Sequence, residues 1–97
     1  MVSVQQARDW LRIDGTDNDE IITGLLAAAV DYIEVATGAT EDEQASVNCV
    51  SLCDTITKML LTIWYKPEQA EAEKVQRTVD SLLKLLTVKI AEARKNG

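Results

Sequence analysis

Cys49 and Cys53 carry the most reactive side chains of this sequence, which contains no histidine. They lie four residues apart on a predicted helix, so both face the same side. A structural zinc site needs four nitrogen or sulfur ligands, and the sequence offers no third cysteine. A disulfide between the two would distort the helix, because Cβ atoms at this spacing lie too far apart. We therefore expect two buried thiols that act as small apolar side chains, with no metal and no cofactor.

An acidic segment at residues 14–20 has the composition of a calcium-binding loop. Aligned with the EF-hand pattern from Asp14, it has Asp19 where the pattern requires glycine and Leu25 where it requires glutamate. A turn at Gly15 followed by an acidic helix start explains the acids, since carboxylates stabilise a helix N-terminus. Weak, adventitious Ca²⁺ binding is the alternative that the sequence leaves open.

The sequence lacks histidine, the commonest general base in acid–base and nucleophilic catalysis. Without histidine, no serine or cysteine has a base partner, and no glycine-rich loop is present to hold a phosphate. Sixteen Asp and Glu against ten Lys and Arg give a net charge of −6. A protein that binds nucleic acid by neutralising phosphates has a basic surface instead. We therefore expect a protein that is not an enzyme and does not hold DNA through its charge.

The charges are divided unevenly along the chain. Residues 1–46 contain ten acids and two bases, a net charge of −8, whereas residues 47–97 contain six acids and eight bases, a net charge of +2. Ordinary solvated helix faces are one explanation of this division. The other is self-association, in which the acidic surface of one copy binds the basic surface of the next, head to tail.

Trp64 and Tyr65 follow each other at the end of a predicted apolar helix. Either Trp64 fills one end of a helix bundle while the Tyr65 hydroxyl stays in water, or the pair anchors a protein–protein interface, where aromatic residues are enriched. The candidate interface of this protein consists of these two aromatic residues, three acids from the first half of the chain and three bases from the second half: Asp14, Asp17, Asp19, Trp64, Tyr65, Lys84, Lys89 and Arg94.

Helical periodicity predicts four helices that position these residues, at about 3–12, 17–37, 47–65 and 78–94. Apolar residues recur on one face of each, and the third helix is apolar on most sides, which is typical of a central helix. Residues 39–46 form a predicted polar connection, and residues 68–77 are either a loop or a frayed helical turn. No alternation typical of β-strands is present, so we predict a small all-α bundle in which residues 1–97 form one domain.

Capping residues mark the predicted helix boundaries. Ser3 begins the first helix, with Gln6 as its capping-box partner. Asp17 is the predicted N-cap of the second helix, which Gly38 ends in the left-handed conformation. Pro67 stops the third helix, because the residue before a proline is disfavoured in helical conformation.

No segment supports secretion or membrane insertion. The N-terminus lacks a basic stretch followed by an apolar one. The longest apolar runs, around Leu25–Val30, have five to six residues, against the roughly 18 that a membrane span requires. We therefore expect a chain that is made in the cytosol and has no membrane partner.

Five short segments stand in a characteristic order along the predicted helices: LRID at 11–14, YIE at 32–34, TG at 37–38, WY at 64–65 and SLL at 81–83. Together with the apolar stretches around them, these segments resemble those of the small head–tail connector proteins of tailed bacteriophages and prophages, which are also called head-completion or adaptor proteins. The resembling stretches cover most of residues 3–86.

The resemblance implies a structural protein of the virion, assembled in the host cytoplasm. Proteins of this family form a ring below the portal, extend the DNA channel, complete the head after packaging and offer a docking surface to the next component. The implied partners are further copies of the chain, the portal protein and the next neck or tail-completion protein. Acidic surface facing such a channel would repel phosphate, so DNA would pass through without specific binding.

A small helical, phage-encoded regulatory protein that sequesters a host or phage partner protein is the alternative function. Concentration-dependent assembly distinguishes the two classes of protein. A connector forms large oligomers alone or with its portal, whereas a sequestering protein stays monomeric and binds one partner tightly.

Overall fold

The computed structural model describes residues 1–68 and 71–96. Five α-helices follow one another: α1 (Val4–Leu11), α2 (Asp19–Thr37), α3 (Glu41–Gln44), α4 (Val50–Tyr65) and α5 (Ala72–Asn96). No strand occurs within these two ranges. The prediction of an all-α bundle with four main helices is therefore confirmed, and α3 is an additional short helix.

The ends of α1 agree with the sequence. The Ser3 hydroxyl accepts a hydrogen bond from the Gln6 backbone, and the Gln6 side chain accepts one from the Ser3 backbone, which completes the predicted capping box. Arg12 ends the helix in the left-handed conformation, with φ of 58°. Gly15, with φ of 84°, then turns the chain towards α2 at little conformational cost.

The start of α2 differs from the prediction. Asp17 lies in the preceding turn, and Asn18 is the N-cap, without a side-chain hydrogen bond to the helix. Asp19 and Glu20 occupy the first turn, where carboxylates interact favourably with the positive end of the helix dipole. At the other end, Gly38 has φ of 80° and donates its N–H back to the helix, as predicted.

The predicted polar connection 39–46 contains α3. Thr40 Oγ1 accepts from the Glu43 backbone at 3.2 Å, and Glu43 Oε1 accepts from the Thr40 backbone at 3.0 Å, so a second capping box begins this helix. Gln44 at its end is buried, and its amide donates to two backbone carbonyls, those of Val30 and Ala39. These bonds hold α3 against the C-terminal half of α2.

The last helix is longer than predicted. α5 starts at Ala72, so residues 72–77, for which the sequence predicts either a loop or a frayed helical turn, are helical. Residues 69–70 of that segment lie outside the described ranges. Alanine, glutamate, lysine, glutamine and arginine favour helix in this stretch, and Val75 continues the apolar stripe of Val79 by one turn.

α4 is the central helix, as predicted, although it starts at Val50 and not at 47. It packs on α1, α2 and α5. Its buried side chains form a core with α2 and α5, which includes Ile33, Ile56, Leu60 and Leu86. A second cluster forms where α1 covers α2 and α4, with Ala7, Leu11, Ile22 and Leu61 at its centre. The outward sides of α2 and α5 remain in solvent.

Candidate protein–protein interface

The acidic turn before α2 separates its three candidate residues. Asp14 and Asp17 are exposed. Asp19 is half-buried, and its carboxylate lies 3.3 Å from an Arg8 guanidinium nitrogen, which ties α1 to the start of α2. Its charge is therefore compensated within the chain. Asp14 and Asp17 keep an outward negative charge that another molecule can meet.

The two aromatic residues at the end of α4 have different surroundings. The Tyr65 hydroxyl accepts a hydrogen bond of 2.9 Å from the Asn18 side chain, so Tyr65 fastens α4 to the turn before α2. Trp64 is half-buried and meets Tyr32 of α2 edge to face, with ring centroids 5.8 Å apart. Beside this pair is a shallow groove of about 540 Å³, which is almost wholly apolar: Ala28, Asp31, Tyr32, Val35, Ala36 and Trp64 line it.

Arg94 binds within its own chain. Its guanidinium donates to both carboxylate oxygens of Glu43, at 2.9 and 2.7 Å, and to the Gly38 carbonyl at 2.9 Å. Such two-pronged contacts between arginine and carboxylate are the stronger kind of ion pair. The Arg94 hydrogen bond, with help from the Thr40 backbone N–H, lowers the pKa of Glu43 from 4.5 to about 2. Arg94 therefore fastens the end of α5 to the connection between α2 and α3.

The two candidate lysines lie on α5. Lys84 is exposed, and Lys89 is half-buried at a small groove shared with Asn48, Glu92 and Asn96. A charge reversal at Arg94 would disturb the fold as well as any contact with a partner. Lys84 is accordingly the best placed of the three predicted bases to meet another molecule.

Trp10 contributes to the surface in a way that the sequence did not indicate. Its position in α1 suggests a widening of the apolar stripe, yet the ring is exposed. The indole N–H donates to Thr62 Oγ1 at 2.9 Å, and the Lys58 ammonium lies 5.6 Å from the ring centroid. Trp10 is thus held in place by α4, over a small groove that Met59 and Val75 also line.

Exposed aliphatic residues on α2 and α5 are the other feature that sequence reasoning missed. Ile21 and Val35 of α2 and Leu85 and Val88 of α5 are each at least half exposed. The signal was present in the sequence, because these positions lie away from the buried stripes that the same helices carry.

The chemistry that the chain can perform at its cysteines is limited by burial. Both thiols are free and 1% exposed, as predicted, and burial raises the pKa of Cys53 to about 11. A thiol with such a pKa stays protonated at neutral pH and is a poor nucleophile and ligand. Within residues 1–68 and 71–96, no group of three or more Cys, Asp and Glu side chains is arranged to hold a metal ion.

Helices in the described part of the chain are too short or too polar to cross a membrane. Among the candidate residues, the exposed charges of opposite sign are Asp14 and Asp17 before α2 and Lys84 on α5.

A comparison with protein families identifies the family of the chain. A family model described as phage gp6-like head-tail connector protein matches residues 1–95, which include nearly all of the five helices. Neither a curated protein nor a solved structure matches the chain. Because the family match extends over almost the whole sequence, the chain belongs to the family of phage gp6-like head-tail connector proteins, and it is a structural connector of the phage particle.

Proposed function

We propose that the protein is a ring-forming adaptor between the portal and the next neck or tail-completion protein. In this role, residues 1–97 form one connector domain, many copies of which complete the head and continue the DNA channel. Assembly takes place in the host cytoplasm, and the ring remains in the virion. The family match over residues 1–95 is the observation that carries the proposal.

The charge distribution supports a ring built by head-to-tail contacts. α2 carries four acids and no base, whereas α5 carries six bases and three acids. Unlike surfaces on one monomer favour a heterologous contact, which generates a ring when the rotation between copies closes. Charge complementarity between the two surfaces also favours one orientation of neighbours over others.

Electron microscopy of the purified protein, alone and mixed with the portal protein of the same phage, tests the proposal. We expect rings of uniform diameter in at least the mixture, seated on one end of the portal. Monomers in both samples would contradict the ring. A monomer that forms a tight one-to-one complex with a host protein would instead support the regulatory alternative.

A further inference from the structure

Both α2 and α5 expose an apolar edge that no part of the described chain covers. On α2, Ile21 is 57% and Val35 is 89% exposed, with the small Ala28 midway between them. On α5, Leu85 is 50% and Val88 is 55% exposed. Isolated exposed aliphatic residues are common, but residues aligned along one side of a helix are typical of a contact surface.

A charged edge runs beside each apolar edge, and the two charged edges have opposite sign. On α2 the exposed acids are Glu20, Asp31 and Glu34. On α5 the exposed bases next to the apolar edge are Lys84 and Lys95. Two acids lie near these bases: Glu92, which is exposed one turn after Val88, and Asp80, which accepts a hydrogen bond from Gln76 of the same helix. Arg77 continues the basic edge.

The spacing of the charges is the same on both helices. Glu20 and Asp31 are eleven residues apart on α2, and Lys84 and Lys95 are eleven residues apart on α5. Eleven residues of α-helix rise about 16 Å and return to within about 20° of the same side. Two acid–base pairs can therefore form at once between one α2 and one α5.

The rotational order of the two edges decides the relative direction of the helices. Successive residues of an α-helix are rotated by about 100°. When α2 and α5 are each viewed from the N-terminus, the charged edge therefore lies on the same side of the apolar edge in both helices. Two such faces match, acidic on basic and apolar on apolar, only when the helices run antiparallel. In that arrangement Glu20 meets Lys95, Asp31 meets Lys84, and Ala28 lies opposite Val88.

We propose that α2 of one copy packs antiparallel on α5 of the next copy, an inference that rests on the proposed ring. Leu85 then lies over the apolar groove beside Tyr32 and Trp64, which assigns Trp64 to the interface. α2 and α5 of one chain both pack on α4 and on each other, so their outward faces are separate surfaces. Each copy therefore has one acidic face on α2 and one basic face on α5 that can contact its two neighbours, as a closed ring requires.

Cysteine cross-linking in the full-length protein tests this contact. The variants Ala28→Cys and Val88→Cys are made separately, mixed and oxidised, and the products are identified by mass spectrometry. Both positions are solvent-exposed, whereas the native Cys49 and Cys53 are 1% exposed and do not compete. We expect the yield of the mixed disulfide to be well above the yield that random collision gives. The double variant gives a ladder of covalent oligomers.

Thr55→Cys, at an exposed position on α4, is the matched control, and with Val88→Cys it gives only the random yield. Asp31→Lys added to the Ala28→Cys variant abolishes the excess, and Lys84→Asp added to its partner restores it. If the wild-type protein assembles but the two cysteine variants give no excess of the mixed disulfide, this interface alone is overturned. A wild-type protein that stays monomeric at every concentration in sedimentation velocity overturns the ring and the interface together.

Discussion

Arg94 and Asp19 belong to the predicted interface, yet each binds a partner in its own chain. The partner of Arg94 is Glu43, fifty-one residues away in sequence, and that of Asp19 is Arg8. A long charged side chain pairs with whatever the fold brings near it, and sequence separation gives no warning of this. Lys84, by contrast, is exposed.

The ion pair of Glu43 and Arg94 makes stability depend on pH. The pKa of Glu43 is lowered in the folded protein from 4.5 to about 2, first by the Arg94 hydrogen bond. A carboxylate whose pKa is lower in the folded protein stabilises the folded state at pH values above its unfolded pKa. This stabilisation is lost as the pH falls through the folded pKa. We expect Glu43→Gln to lower the free energy of unfolding at pH 7, and the difference from wild type to shrink between pH 4.5 and about 2.

Urea titrations of both proteins at several pH values measure this difference. Glu41→Gln removes a carboxylate from the same short helix, where Glu41 has no bond to Arg94, and serves as the control. Its difference from wild type should not follow the same pH window. A difference between Glu43→Gln and wild type that stays constant down to pH 2 would contradict the assigned role of Arg94.

At the scale of elements, two glycines of different backbone conformation belong to α2 and its C-terminal cap. Gly24 lies inside the helix, exposed and with ordinary helical angles, whereas Gly38 ends it with φ of 80°. A Cβ atom added at either position meets nothing within 4 Å. The backbone conformation, and not crowding, therefore decides what an alanine does at each site.

We expect Gly38→Ala to destabilise the monomer by about 1–2 kcal/mol, because a side chain is strained in the left-handed conformation. Gly24→Ala should stabilise it by about 0.5–1 kcal/mol, because alanine loses less backbone entropy in a helix. Denaturant unfolding at high dilution, where copies do not associate, measures both changes. Effects of the same sign would show that α2 does not end at Gly38 as described.

At the scale of the whole molecule, charge divides the protein into an acidic first half, which repels phosphate, and a mildly basic second half. The net charge is −6, and the bases concentrate on α5, where Arg94 is already paired. In the proposed ring, Lys84 and Lys95 face the acids of the next α2. Little basic surface is then left to hold a DNA backbone.

We accordingly expect the assembled protein not to retain duplex DNA in a gel-shift assay, even at about 50 mM salt, where phosphate contacts are strongest. A variant with both Asp14→Lys and Asp17→Lys replaces two exposed acids by bases and should bind measurably more. Tight binding of DNA by the wild-type ring would argue against a channel through which DNA slides.

The sequence by itself determined the helical class, the central position of α4 and several helix ends. These features depend on local physics: apolar periodicity, capping boxes and the conformational freedom of glycine. The boundaries it missed have local causes too. Asp17 is displaced as N-cap by Asn18, and the first turns of α5 were obscured by their charged residues. The Thr40 capping box of α3 is present in the sequence, within the predicted polar connection.

Only the tertiary structure decided which candidate residues can meet a partner. It pairs Arg94 with Glu43 and Tyr65 with Asn18, and it leaves Lys84 exposed. It also shows that the aliphatic edges of α2 and α5 remain uncovered beside charges of opposite sign. Periodicity identifies the faces of a helix, but neighbouring helices determine which face is buried. That choice depends on contacts between residues far apart in the chain, which no local pattern records.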